Sequence, residues 1–348
     1  MLADIGIIGT GSYLPARVVS NAEVARPAGV DAEWIERKTG IRERRRAAAH
    51  EATSDLAAAG ARRALHAAGL SARDVDVIVV ATSTPDHPQP ATASIVQHLI
   101  GATDAAAVDV NAVCTGFVYA LAMARGLLRE RPGGHALVIG ADIYSRILDA
   151  RDRRTAILFG DGAGAVVLGE VPAGGGVIAT RLRGHGDDHE LIRVPAGGSR
   201  LPASERTVRD AEHFFRMDGR GVRAFVEEHV PAAVADAVRA SGLAPGAVDH
   251  VVAHQANGVL LRDLAPALGL PRARLHLTVD QFGNTGSASV PITLDAANRA
   301  GAIEPGDVVL MAGFGGGMNL GVSLCRWTAP LPSSVAGAAG EKALSYSH

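Results

Sequence analysis

Two stretches of this 348-residue chain repeat each other, and the repeat limits what the chain can fold into. Leu70-Ser-Ala-Arg-Asp-Val75-Asp76-Val-Ile-Val-Val-Ala81 reads like Leu243-Ala-Pro-Gly-Ala-Val248-Asp249-His-Val-Val-Ala-His254, and each follows an Ala- and Arg-rich helical stretch. Val248 lies 173 residues beyond Val75, and Gly313, which closes Val308–Gly313, lies the same distance beyond Gly140, which closes His135–Gly140. One offset shared by separate segments predicts a duplicated fold. Each half alternates β-branched apolar strands with alanine-rich helices, the pattern of buried parallel sheets covered by helices. Stacked face to face, two such halves give an α/β body of five layers, αβαβα. The loop-forming stretch Val171–Gly176 divides the chain into halves 1–172 and 173–329 that pack as one unit. The Ala/Ser/Gly-rich tail, 330–348, is expected to be disordered.

Composition removes several function classes. A 47% hydrophobic content suffices for a large core, and 34 basic against 36 acidic residues leave a net charge of −2. No global field then draws the chain to nucleic acid or to an anionic membrane. Met1–Gly6 has no basic segment leading into an apolar stretch, and no run reaches the roughly 18 apolar residues of a spanning helix. The cytoplasm is the expected location. The two cysteines, Cys114 and Cys325, are far apart and outside any CxxC spacing, which argues against a disulfide framework or structural zinc.

Cys114 lies in Ala107–Ala120, which runs from strand through turn into helix, so its thiol is expected at a helix N-terminus. The dipole and free N–H groups there bring a cysteine pKa from about 8.5 to roughly 3.5–7.5. A lone cysteine is more often a small buried hydrophobe, but three further stretches favour reactivity. His254-Gln255-Ala256-Asn257 ends the repeated strand, where α/β folds present catalytic groups. Gly283-Asn284-Thr285-Gly286-Ser287 leads into a helix at the duplicate of the cysteine position, Ser287 lying 173 residues beyond Cys114. Gly313-Phe314-Gly315-Gly316-Gly317 permits backbone N–H groups to face a reacting oxygen.

With Gly9–Pro15, Glu33-Trp34-Ile35, Thr39–Arg44 and Phe159–Gly164, these stretches resemble the β-ketoacyl-acyl-carrier-protein synthase III family of the thiolase superfamily over nearly the whole chain. The resemblance implies a homodimeric acyltransferase with Cys114, His254 and Asn284 as catalytic residues, and an oxyanion hole from the N–H groups of Cys114 and Gly316. On that resemblance, an acyl group from an acyl-CoA would be loaded on Cys114 and condensed, with loss of CO2, with a malonyl thioester of the kind an acyl carrier protein bears. His254 and Asn284 would donate to the malonyl thioester oxygen, a role suited to a neutral imidazole. The resemblance also implies coenzyme A thioester as a substrate, with no permanently bound cofactor and no metal. Its adenine would stack between Trp34 and Arg153, with Lys38 and Asn257 also among the contacts. Tyr144, Phe159, Phe314 and the partner subunit's copy of Gln89 would line the acyl pocket.

Two departures matter. Gln89, in Pro85–Pro90, stands where the family inserts an apolar side chain, so the pocket is expected to be wider or more polar. After His254–Asn257, Val259, Pro266 and Ala267 replace cations that would greet an acidic carrier protein, leaving Arg223 and Arg262 to compensate. Both departures also suit a tailoring acyltransferase that moves the acyl group to an oxygen, nitrogen or other acceptor without condensation. An inactive partner subunit is a third reading, which the intact Cys114, His254 and Asn284 oppose. Gly9-Thr10-Gly11 fails as a dinucleotide fingerprint because Leu14 takes the third glycine position. His185–His189 has no metal requirement in this chemistry, Arg42 is expected to be structural or near the nucleotide, and Cys325 reads as packing.

Overall fold

The computed structural model describes residues 4–330. The expectation of a disordered tail, Pro330 apart, falls outside that range. In the first half, β1 (Asp4–Tyr13) leads to a hairpin, β2 (Arg17–Ser20) and β3 (Glu43–Arg46), with α1 (Asn21–Ala28) and α2 (Ala32–Thr39) between its strands. Then come α3 (Thr53–Ala68), β4 (Val77–Ala81), α4 (Thr92–Ile100), β5 (Ala106–Val110), α5 (Gly116–Leu128), β6 (Ala136–Ile143) and β7 (Asp161–Val171). The second half has β8 (Gly176–Gly184), β9 (Ile192–Arg193), α6 (Glu205–Arg209), β10 (Arg216–Met217), α7 (Gly219–Ser241), β11 (His250–Ala253) and α8 (Gly258–Leu264). It closes with β12 (Arg274–Leu275), α9 (Val279–Phe282), α10 (Ser289–Arg299), β13 (Val308–Gly315) and β14 (Asn319–Arg326).

The strand order is β1-β7-β6-β4-β5 in one sheet and β8-β14-β13-β11-β12 in the other, which is the same topology twice. The register repeats as well. Val77 pairs with Ala136 and His250 pairs with Val309, each second residue lying 173 beyond its counterpart in the first pair. β4 is parallel to both its neighbours, as is β11, whereas β7 and β14 run antiparallel. The all-parallel expectation therefore fails at β14 for a simple reason: residues 316–318 are too few for a crossover, which needs a dozen or more. β6 and β7 are joined instead by the long excursion 144–160.

The helices α5 and α10 form the middle layer. Phe117 and Leu121 on α5, and Val290 and Leu294 on α10, pack with Val79, Val138, Val252 and Met311 from the two sheets in one buried cluster. Outside the first sheet lie α3 and α4, through Leu56, Ala61 and Val96; outside the second lie α7 and α8, through Val226, Val234 and Leu261. Burying each such aliphatic side chain stabilises by about 1.5–3 kcal/mol. Both cysteine-position turns thus face one another across the central layer.

Candidate active site

β5 ends at Val110, and the chain turns through one 3₁₀ turn, Val113–Thr115, directly into α5. Val113 takes φ 49° there, a conformation that costs a β-branched residue about 1–3 kcal/mol. Its N–H donates to Asn111 Oδ1 at 3.2 Å, and the Thr115 N–H donates to the Ala112 carbonyl at 3.1 Å. Gly116 is required by packing, since a Cβ on it would stand 3.0 Å from Ala81 Cβ. The result is a sharp elbow with buried Cys114 at its tip.

β13 crosses in front of that tip. A Cβ on Gly315 would lie 2.7 Å from Cys114 Cβ, so only glycine lets this backbone approach the nucleophile. Phe314, one residue earlier, meets the His254 ring edge to face at 5.3 Å. His254 is buried, its N–H donates to the Ala312 carbonyl at 2.7 Å, and its Nδ1 lies 2.7 Å from Ser289 Oγ on the first turn of α10. Asn284 is fixed by three backbone bonds: its N–H donates to Leu158 O, its carbonyl accepts from Gly160 N–H, and its Oδ1 accepts from Gly286 N–H, each at 2.9 Å. With Oδ1 engaged, the carboxamide has its NH2 left to offer as a donor.

Electrostatics overturn one expectation. Burial, followed by the nearby charge of Asp142, pushes the Cys114 thiol up to about 12, and the Tyr144 hydroxyl only partly opposes this. The helix start does not deliver a resting thiolate, because β13, Tyr144 and α10 exclude the water that would solvate one. Burial also brings His254 down to about 3, so its imidazole is neutral.

Tyr144 and Phe159, at opposite ends of the 144–160 excursion, stack at 4.4 Å, and Phe215 meets both rings edge-on at 5.6 and 5.0 Å. Gln89 is exposed. Trp34 is half-buried against the same cluster, while Arg153 and Lys38 are exposed. Asn257 caps α8, its Oδ1 accepting from Val259 and Leu260 N–H and its Nδ2 donating to the Lys38 carbonyl, so its amide is already engaged. Arg42 pairs with Asp280 at 2.5 Å. Arg223 does not stand free to replace the missing cations, being paired with Glu227 at 2.7 Å and Asp263 at 3.0 Å. The Arg262 guanidinium is close to Gly40, where a Cβ would meet it at 3.1 Å.

Elsewhere, His189 Nδ1 bonds to the Gly186 carbonyl, His185 packs on Phe225 and His229, and Cys325 is fully buried. Among the described residues no cluster of three or more His, Cys, Asp or Glu is arranged to hold a metal ion, and no helix is long and apolar enough to cross a membrane. Sequence reasoning missed Ser289, Phe215 and Asp142. Only Asp142 had a signal: it precedes Gly315 by the 173-residue offset, so it was bound to face the other elbow.

Comparison with known proteins places the chain among relatives of one family. Residues 108–186 match the family described as 3-oxoacyl-(acyl-carrier-protein) synthase III, and residues 238–327 match the C-terminal part of that family. Acetoacetyl CoA synthase NphT7 of Streptomyces sp. (strain CL190) is 56% identical over 323 residues, covering 92% of this chain and 98% of that protein. The crystal structure of 3-oxoacyl-(acyl carrier protein) synthase III, FabH, from Pseudomonas aeruginosa PAO1 superposes with a TM-score of 0.86 at 36% identity, covering 94% of this chain and all (100%) of that one. The priming β-ketosynthase of the R1128 polyketide biosynthetic pathway gives 0.87 at 32% identity, covering 95% and 98% of the two chains.

Proposed function

The chain belongs to the 3-oxoacyl-(acyl-carrier-protein) synthase III family, and from that premise we propose that it joins an acyl group held on Cys114 to a malonyl group borne by coenzyme A. The observation that supports the reading is β13, where Gly315 lies against Cys114 and the neighbouring Phe314 lies against the His254 ring.

In the loading step the Cys114 sulfur bonds to the acyl carbon and the bond to the coenzyme A sulfur breaks. The thiol proton leaves with coenzyme A. The N–H groups of Cys114 and Gly316 receive the oxyanion, each worth about 3 kcal/mol of barrier. In the second step the malonyl C–CO2 bond breaks and its electron pair becomes an enolate. Neutral His254 and the Asn284 NH2 donate to the enolate oxygen; the carbon then attacks acyl-Cys114, whose sulfur leaves as thiolate and is reprotonated from solvent. A charged imidazole is not needed, in keeping with the depressed basicity of His254.

Coenzyme A as the malonyl carrier is supported by two facts. Val259, Pro266 and Ala267 offer no cation, and Arg223 is neutralised by Glu227 and Asp263, so an acidic carrier protein meets little attraction. The 56% identical relative is named acetoacetyl CoA synthase. The same surface had suited a tailoring transferase, but a coenzyme A-borne acceptor explains it while retaining a use for Asn284. Trp34 and Arg153 would clasp the adenine, with Lys38 toward the phosphates. Tyr144, Phe159 and Phe314 would line the acyl pocket, to which the partner subunit's Gln89 would be added. A homodimer is supported by the open edge of β5 with Val108 exposed, beside exposed Met123 and Leu127 on α5. Such a reaction belongs in the cytoplasm, where coenzyme A thioesters are made.

The test supplies acetyl-CoA with malonyl-CoA or with malonyl carrier protein and follows CO2 release and β-keto product. Malonyl-CoA should give the higher kcat/KM. Turnover with carrier-bound malonyl alone would overturn the choice of carrier, and acyl transfer without CO2 release would overturn condensation itself.

A further inference from the structure

Asp142 is a buried carboxyl group that the reaction above does not use; burial pushes its pKa up, and the hydrogen bonds from Ser83 and Ser287 oppose that rise. It lies in β6 at 0% exposure and collects six donors. Its Oδ1 receives the Ser83 N–H at 2.8 Å and the hydroxyls of Ser83, Thr82 and Thr84 at 3.0, 3.2 and 3.2 Å. Those three residues follow β4 in the first half. Its Oδ2 lies 2.7 Å from both the N–H and the hydroxyl oxygen of Ser287, in the second half. Desolvating a carboxylate costs several kcal/mol, and an apolar joint would pack the halves at less cost. Asp142 therefore serves something other than cohesion.

The turn it holds is the seat of Asn284. Gly286, at φ 58°, donates its N–H to Asn284 Oδ1, and the next N–H in the chain is the one Asp142 takes. A side chain on Gly286 would collide with Asp142 Oδ2 and the Tyr144 ring, so the turn and the carboxylate fit in one arrangement. We propose that Asp142 is a positioning residue for the decarboxylative step: by tying the Gly286–Ala288 turn to the first half, it holds the Asn284 carboxamide with its NH2 toward the malonyl thioester. The inference rests on the reading of Asn284 as that donor. Loading has no use for the carboxylate, whose charge opposes ionisation of Cys114.

This gives Asp142→Asn a loss confined to one of the two half-reactions, which a purely structural role does not. Acyl labelling of Cys114, followed by intact mass in a single turnover, should be unchanged or faster. CO2 release from malonyl-CoA by the pre-acylated enzyme should fall at least tenfold. Ser287→Ala, which removes one of the two Ser287 donors, should slow CO2 release by a smaller factor with labelling intact. It carries the test if Asp142→Asn does not fold. Parallel loss of both half-reactions, or unchanged CO2 release in the folded variants, overturns the proposal. Asn284→Ala separates the two layers: if it keeps CO2 release, the reading of the site fails, and if it loses CO2 release while Asp142→Asn does not, only the positioning role fails.

Discussion

The two elbows that the duplication places at equivalent positions, Val113–Thr115 and Gly286–Ala288, share a backbone and differ in what faces them. Both begin with a left-handed residue, φ 49° at Val113 and φ 58° at Gly286, and both run straight into a middle-layer helix. Cys114 looks onto Gly315, and Ser287 looks onto Asp142, the residue that the offset makes equivalent to Gly315. One elbow faces bare backbone. The other is saturated by a carboxylate. A nucleophile therefore requires a neighbour without a side chain as much as a helix start, and the first half supplies the thiol while the second supplies the glycine in front of it.

The largest effect should come from exchanging these neighbours. Gly315→Asp would press a side chain against Cys114 Cβ, and both acyl labelling and turnover should fall by more than about 10³-fold, as for loss of the nucleophile itself. In the converse exchange, Ser287→Cys should show no acyl adduct at residue 287 by peptide mass spectrometry; an adduct there would mean that the carboxylate is not what silences the second elbow.

Thiol reactivity sharpens the comparison next. With Cys114 held up to about 12, its alkylation by chloroacetamide should stay slow through neutral pH and climb about tenfold per unit from pH 9 towards 12. A plateau already reached at pH 8 would return the helix-start expectation. Because the folded value exceeds the unfolded one, the associated stability is present below about pH 9 and drains away as pH rises towards 12. His254 works in the other direction. Its folded value, about 3, lies below the ordinary 6.5, so stability should fall as pH drops from about 6.5 towards 3, and His254→Gln should flatten that acid limb in thermal melts. The smallest effect is expected at Val113→Gly, which relieves the positive φ while giving up a half-buried side chain. Its melting free energy should stay within about 1 kcal/mol of the parent, and turnover should fall modestly as the elbow loosens.

Much of this was legible before any coordinates, because it repeats. The 173-residue offset carries β4 onto β11 and β6 onto β13, and the stretches holding Cys114, His254, Asn284 and the glycine run do converge. What could not be read comes from pairs with no local pattern. Asp142 finds donors 59 and 145 residues away, in Ser83 and Ser287. Phe215 completes the aromatic cluster from a distant loop, and Ser289 meets His254 only because α10 starts beside β11. The direction of the Cys114 shift was misread for the same cause: a dipole is a property of a segment, whereas desolvation is made by whatever the rest of the chain lays on top.

The excursion 144–160 has a consequence of its own. The second half closes the equivalent gap with residues 316–318, so the excursion is an addition that the duplicated strand order does not itself require. It nevertheless carries Tyr144, Arg153 and Phe159. On the acyl-pocket roles proposed for Tyr144 and Phe159, exchanges in that single peptide would retune substrate size and leave the strands that present the thiol untouched.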